Sequence, residues 1–277
     1  MNTINYLYPH WGSEHLTAAG FIKLITDHGF QGIEMNLPND NIFEIELLDE
    51  LQKARNLYPN FIVVLQQVLP VEAETVDEYI SNVLKQLKRT LPYQPDFINS
   101  HSGKDHYSFD ENCKIIEAVE SFSDINNIPI YHEIHRGRFT FHSTTTLAYL
   151  EKYPDLKLVG DLSHWCVTSE SMLQDQEHIL QKIFPRIKHI HARVGFEQSP
   201  QVNNPFAPEW EDNLKQFTVW WQQIINEHQN MEEFTITPEF GPYPYMPQTP
   251  FNQMPLANQQ ELNIEMRDYL KRKITIY

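Results

Sequence analysis

The chain has 277 residues, of which 41% are apolar and 12% aromatic, enough to build one large core. Its length suits a single α/β domain, since barrels of that class run to about 250 residues. The formal net charge of −16 repels nucleic acid and anionic lipid, offers no broad attraction for polyphosphates, and fits a site that gathers carboxylates around a cation.

The opening residues, Met1-Asn2-Thr3-Ile4-Asn5-Tyr6, carry neither a basic n-region nor an apolar h-region, so no signal peptide is expected. No stretch approaches the roughly 18 apolar residues of a membrane span. The two cysteines, Cys113 and Cys166, form no CxxC. A cytoplasmic location is expected, with both thiols as small core fillers.

In chain order, short β-branched runs predict strands at residues 4–8, 32–36, 61–66, 97–101, 128–133, 156–161, 187–191 and 234–239. Amphipathic stretches between them predict helices at 14–28, 41–58, 76–91, 110–126, 144–153, 171–183, 209–228 and 258–272. Eight strands alternating strictly with eight helices predict a closed (β/α)8 TIM barrel rather than an open doubly wound sheet. No repeat, low-complexity run or Gly/Ser linker divides the chain, so residues 1–277 read as one domain. The loops 196–208 and 242–255, rich in proline and polar residues, follow the seventh and eighth strands. They lie on the side where a barrel holds its active site.

Four consecutive strands each deliver one metal-competent side chain where the apolar run stops: Glu133, Asp161, His191 and Glu239. The steps between them are 28, 30 and 48 residues, one βα unit each, the last stretched by the 196–208 loop. Adjacent strand ends converge above a barrel core, so the four are expected to meet as one divalent-metal site. Three carboxylates and one imidazole favour Mn²⁺, with Mg²⁺, Co²⁺ or Zn²⁺ as alternatives. The ligands' negative charge exceeds that of the cation, and Arg136, Arg138 and Arg193 are candidates to relieve it. His189 shares a strand face with His191 and is the alternative ligand.

Other polar groups gather at the same mouth. Glu34 and Asn36 end the second strand, His10 and Trp11 follow the first, and His101 ends the fourth. His164 leaves its strand beside Asp161. We expect His101, His164, Arg193, Arg136, Glu34 and Trp11 to contact substrate. Trp11, Trp165 and Phe240 suit an apolar wall, while Trp220 and Trp221 lie within a helix and read as core. No GxxxxGK cradle is present, although Arg136 and Arg138 could take one phosphate; the acidic balance favours a neutral polyol.

The runs Glu133-x-His135-Arg136-Gly137-Arg138, Asp161-x-Ser163-His164-Trp165, His189-Ile190-His191-Ala192-Arg193-Val194-Gly195 and Pro238-Glu239-Phe240-Gly241-Pro242 resemble the xylose-isomerase-like barrel superfamily. More narrowly, they are similar to its sugar phosphate isomerase/epimerase-like group, as are Pro200-Gln201-Val202-Asn203-Asn204-Pro205 and Pro208-Glu209-Trp210. The resemblance spans nearly the whole chain and is strongest over 131–245. By likeness to the ketose 3-epimerases of that superfamily, it implies a metal held by Glu133, Asp161, His191 and Glu239. It also implies that Glu133 and Glu239 act as acid and base and that His164 touches substrate. The chain departs from those epimerases beyond His191: they carry an Arg several residues on, where Glu197 stands here.

The expected activity is therefore metal-dependent isomerisation or epimerisation of a sugar, sugar phosphate or polyol ketone, by proton transfer beside a chelated carbonyl. A dehydratase of a cyclic polyol ketone on the same site is an alternative. A non-catalytic metal- or sugar-binding barrel is another. An apurinic-site endonuclease-like phosphodiesterase fits least. No His occurs between His191 and His228, the third strand ends in Gln66-Gln67, and the net charge opposes DNA. The expected partner is a small sugar or polyol, with neither nucleic acid nor membrane; a homo-oligomer is compatible with the sequence.

Overall fold

A computed structural model describes residues 3–72 and 74–276. Met1, Asn2, Ala73 and Tyr277, which belong to the expected 1–277 domain, lie outside the described residues; two of them open the run read above for a signal peptide. Eight strands close in sequence order into a parallel barrel: β1 (Thr3–Pro9), β2 (Gly32–Asn36), β3 (Ile62–Gln67), β4 (Phe97–Ser100), β5 (Ile130–Glu133), β6 (Leu158–Gly160), β7 (Ile187–His191) and β8 (Glu233–Thr237). The last strand returns to the first, with Ile4 beside Phe234. The expected TIM barrel is therefore the fold. No helix among the described residues is long and apolar enough to cross a membrane.

Among the described residues, nine helices surround the sheet: α1 (Ala18–Asp27), α2 (Asn41–Leu57), α3 (Val76–Thr90), α4 (Phe109–Asn126), α5 (Ser143–Lys152), α6 (Ser163–Ser169), α7 (Glu177–Ile183), α8 (Glu211–Glu227) and α9 (Gln259–Lys273). Local chemistry starts several of them. Thr75 with Glu78 and Ser108 with Glu111 form reciprocal capping boxes at α3 and α4. Asp40 and Asn258 each accept two backbone N–H groups at the heads of α2 and α9.

Two helix expectations are corrected. The helix expected at 14–28 begins at Ala18, because the Thr17 hydroxyl accepts from the Gly20 N–H, 3.1 Å away, and caps it there. The one expected at 171–183 is confined to Glu177–Ile183, and a separate short helix, α6, starts directly behind Asp161. The residues of α6 give no helical signal in the sequence, because Ser163, His164, Trp165 and Cys166 are buried in succession and leave no apolar stripe set against a polar face.

The barrel interior is layered. At its floor Leu7, Ile62, Val64 and Phe97 pack together from three strands, with Tyr131 of β5 stacked on Phe97 at 4.6 Å. Gln66 and Asn99 stand two residues beyond Val64 and Phe97, and with Glu34, His189 and Thr235 they form a polar layer whose members are hydrogen-bonded to one another. Alternation along a strand, period two, carries the inward face from the apolar floor to this layer and then to the mouth. One irregularity intervenes. Leu158 pairs with Ile187, but Val159 pairs with His189, so Lys188 is an extra residue in β7. Ile187 and Ile190 then pack in the core outside the barrel, while His189 lies over Phe97 within it, at 5.3 Å.

Candidate active site

Each expected metal ligand reaches the mouth from its own strand. Glu133 closes β5, His191 closes β7, and Asp161 and Glu239 stand one and two residues beyond β6 and β8. Ligand-competent atoms of Asp161, His191 and Glu239 all lie within 4.8 Å of one another, as do those of Glu133, Asp161 and His164. His191 Nδ1 is 3.0 Å from Glu239 Oε2 and 3.7 Å from Glu133 Oε2. The four are thus one cluster, almost wholly shut from water.

Each member is oriented by other groups. Asp161 Oδ1 accepts from the Ser163 hydroxyl at 2.5 Å and the Ser163 N–H at 3.1 Å, so the first residue of α6 fixes the carboxylate. Its Oδ2 accepts from Arg193, whose other terminal nitrogen is 3.5 Å from Glu239. Glu133 Oε2 accepts from Asn99 at 2.6 Å and lies 2.6 Å from His101 Nε2. His191 Nε2 meets Glu34 Oε1 at 2.9 Å. His189 is engaged deeper, on Glu34 Oε2 at 3.0 Å, Thr235 at 2.7 Å and Thr237 at 3.0 Å. Of the two histidines, His191 is the one that reaches both Asp161 and Glu239.

The electrostatics follow from this packing. Burial pushes the Asp161 carboxyl up, Arg193 opposes it, and the balance is about 6. For Glu133 burial also raises the pKa, but His101 and His191 outweigh it and hold the carboxyl well below its usual range. Glu34 behaves likewise beneath His191 and His189. Burial opposes a proton on His191, yet Glu239, Glu34 and Glu133 override it and raise its pKa. Burial, then His101, drives His135 down to about 3, so it is neutral.

The residues fit a divalent cation. His191 Nδ1 is buried and, although close to Glu239, lies off the line of a good hydrogen bond. Its Nε2 is turned to Glu34, the carboxylate–imidazole pairing that typically orients a metal-ligating histidine. A dication together with the Arg193 guanidinium balances Glu133, Asp161 and Glu239. Of the three arginines considered for this task, Arg193 is the one bound into the cluster. Arg136 is exposed, over the ring of Tyr245 at 5.3 Å.

The cluster opens on a cavity of about 420 Å³, whose wall includes Glu133, Glu239, His101, Arg193 and Trp11. The expected substrate contacts divide accordingly. His101, Arg193 and Trp11 line the cavity; Arg136 stands outside its lining. His164 is fully buried behind it, with Nε2 3.0 Å from Arg193 and its ring 3.9 Å from that of His135. The part expected of Glu34 is corrected: it is 1% exposed, and its oxygens are taken up by His189, His191, Thr237, Gln66 and Asn99. It supports His191 from below and does not reach the cavity.

The lining also includes polar side chains outside the expected substrate contacts, among them His135, Arg138 (already a candidate cation in the sequence) and Tyr245. The first two lie within the Glu133-x-His135-Arg136-Gly137-Arg138 run, so their proximity to a strand end was visible. Tyr245 was not foreseeable in this way. Its ring meets Trp11 edge-on at 4.9 Å and faces Arg193 at 4.6 Å, contacts made by the fold of the 242–255 loop. The other expected wall residues, Trp165 and Phe240, are fully buried, and Trp220 and Trp221 are in the core as expected.

Comparison with solved structures places the fold. The probable 3-DHS dehydratase AsbF of Bacillus anthracis is 15% identical, with 98% of this chain and 99% of that one aligned and a TM-score of 0.63. A xylose isomerase domain containing protein from Salmonella typhimurium LT2 is 13% identical over 96% and 97% of the two chains, with a TM-score of 0.67. A D-allulose 3-epimerase from Methylomonas sp. is 15% identical over 99% and 97%, with a TM-score of 0.62. No protein-family model and no curated protein sequence matches the chain. At these identities the likeness is one of fold: the described residues are built as the same (β/α)8 barrel.

Proposed function

We propose that this barrel is a metal-dependent isomerase or epimerase of a sugar or polyol ketone, with the cation held by Glu133, Asp161, His191 and Glu239. The observation that carries the reading is His191 Nδ1, buried with no good hydrogen bond of its own among three carboxylates, two of which, Glu133 and Glu239, line a cavity of about 420 Å³. A divalent cation supplies Lewis acidity toward a carbonyl and its neighbouring hydroxyl. The cavity is large enough for a monosaccharide, and Trp11 and Tyr245 contribute aromatic side chains to its lining.

The proton is moved by two glutamates. Glu133 comes from β5 and Glu239 from beyond β8, so they approach a bound sugar from different directions around the barrel. Glu133, held ionised by His101 and His191, is suited to take the proton from the carbon next to the carbonyl. Glu239 returns it. Return to the same carbon from the other side inverts that centre; return to the neighbouring carbon interconverts aldose and ketose. Likeness to a D-allulose 3-epimerase supports this reading at the level of scaffold.

A second reading, dehydration, is favoured by one observation. The neutral imidazole of His135 lines the cavity two residues from Glu133, where it can stand beside a leaving hydroxyl, and a probable dehydratase shares the fold.

The test is proton NMR in D₂O with Mn²⁺-loaded protein and a panel of ketoses, polyols and cyclic polyol ketones. Solvent deuterium at one defined carbon, without loss of water, is the expected result. Glu239→Gln is expected to slow exchange about a hundredfold or more. Metal content is measured in parallel, so that proton transfer and metal loss are told apart. A dehydrated product would favour the second reading, and a panel that binds without any exchange would leave a binding-only barrel.

A further inference from the structure

Arg138 stands in the turn after β5, where Gly137 adopts φ +77° and doubles the chain back. Its backbone is anchored at both ends: the N–H donates to the His135 carbonyl and the carbonyl accepts from the Phe141 N–H, each at 3.1 Å. Its side chain lines the same cavity as Glu133, Glu239 and Arg193.

Four other arginines are paired with acids, while Arg136, Arg186 and Arg272 are in no ion pair among the described residues but lie outside the cavity lining. Arg55 faces Asp96, Arg89 faces Glu44, Arg267 faces Asp268, and Arg193 spans Asp161 and Glu239. Among the described residues no ion pair includes Arg138, and its Nε is sealed from water without an acceptor. The acids of the cavity wall are committed elsewhere. Glu133 and Glu239 belong to the metal cluster, and Glu14 accepts from the Gly12 N–H at 2.9 and 3.0 Å.

A guanidinium cannot shed its charge, and a charged donor deprived of both water and acceptor is costly. Of the two arginines that line the cavity, Arg193 is paired with acids and Arg138 is not. Its planar fork matches a carboxylate or a phosphate.

We propose that Arg138 is the anion-recognising residue of this site, and that the sugar or polyol ketone it receives carries a carboxylate or phosphate group. This rests on the reading of the site given above and narrows its substrate class. Arg193 cannot take that part, since its charge is spent on Asp161 and Glu239. Arg136 is exposed and lies outside the cavity lining. The overall acidity argues for a neutral substrate, but the groups lining the cavity decide, because fields at such a site are set locally.

The test is calorimetric binding of D-fructose, D-fructose 6-phosphate and D-fructuronate to the Mn²⁺-loaded protein, with inorganic phosphate and acetate titrated into the metal-free protein. The anionic sugars are expected to bind about ten- to hundredfold tighter than the neutral one. Preference for the phosphate or for the carboxylate tells the two sources apart. Arg138→Gln is expected to remove that preference and the binding of the simple anion, so that anionic and neutral sugars bind with equal affinity. Arg138→Lys, which keeps the charge without the fork, is expected to recover part of both and to show that the fold is intact. Equal binding of neutral and anionic sugars, a preference that survives Arg138→Gln, or no binding by any anionic probe overturns the proposal. Deuterium exchange is read separately. An Arg138-dependent preference without exchange would sink the proton-transfer reading alone, and exchange confined to neutral sugars would sink this one alone.

Discussion

The mouth of the barrel is an exercise in placing charges that cannot reach water. Asp161 and Glu239 share the guanidinium of Arg193, and Asp161 is fully buried. Removing one partner of such an assembly strands the others, a loss of about 3–5 kcal/mol. Arg193→Gln is therefore expected to destabilise the metal-free protein by that order, read from urea unfolding. Added Mn²⁺ should restore part of the loss, because the cation supplies the missing positive charge. A variant equally unstable with and without metal would argue against a cation between these carboxylates. Glu34 shows a different kind of residue-scale role. Its two oxygens hold His189 and His191 at once, so it sets which nitrogen of His191 turns to the cluster.

At the scale of elements, close approach of strands leaves some positions no room for a side chain. A Cβ on Gly32 would lie 2.1 Å from the Ile62 carbonyl oxygen, a backbone atom of the neighbouring strand that cannot swing aside. Gly32→Ala is expected to lower stability by about 1–3 kcal/mol through strain between β2 and β3, measured as a drop in the urea midpoint. No change there would mean that the strands part without cost.

The C-terminal end of α8 offers a second prediction. His228 follows that helix, stacks on Phe234 of β8 at 5.3 Å, and is 4% exposed. Burial, then Lys188, lowers its pKa from 6.5 to about 4. The folded protein thus keeps it neutral where the unfolded chain takes up a proton. Its contribution to stability is complete above pH 6.5 and is lost as pH falls from there toward 4. Stability of the wild type should fall in that window by about 1–2 kcal/mol more than that of His228→Leu.

For the whole molecule, the expected consequence of metal is stabilisation by mass action. A cation at a hundred times its dissociation constant adds about 2.7 kcal/mol, and chelation removes it. In the metal-free protein His191 holds a proton among Glu239, Glu34 and Glu133, so binding must release it and affinity should rise with pH. Calorimetry in buffers of different ionisation enthalpy measures that proton. Mn²⁺ that neither raises the melting temperature nor releases a proton would count against the cluster as a metal site.

Alternation of apolar runs and amphipathic stretches was enough to establish the barrel. Each strand and helix announces itself through the local periodicity of its own residues, and eight of each in turn leave few ways to close a core. The same periodicity brought Glu133, Asp161, His191 and Glu239 to strand ends, which in a closed barrel face one another. What the chain order did not reveal depends on contacts between distant segments. The α6 turn behind Asp161 carries no amphipathic pattern. The pairing of Arg193 with Asp161, the burial of Glu34 under two histidines separated from it by 155 and 157 residues, and the placing of Tyr245 at the cavity wall arise only when the strands are wound together. Which arginine is neutralised and which is left without an acid is decided there as well. Charge compensation acts through distances of a few ångströms in space, and the linear sequence does not carry those distances.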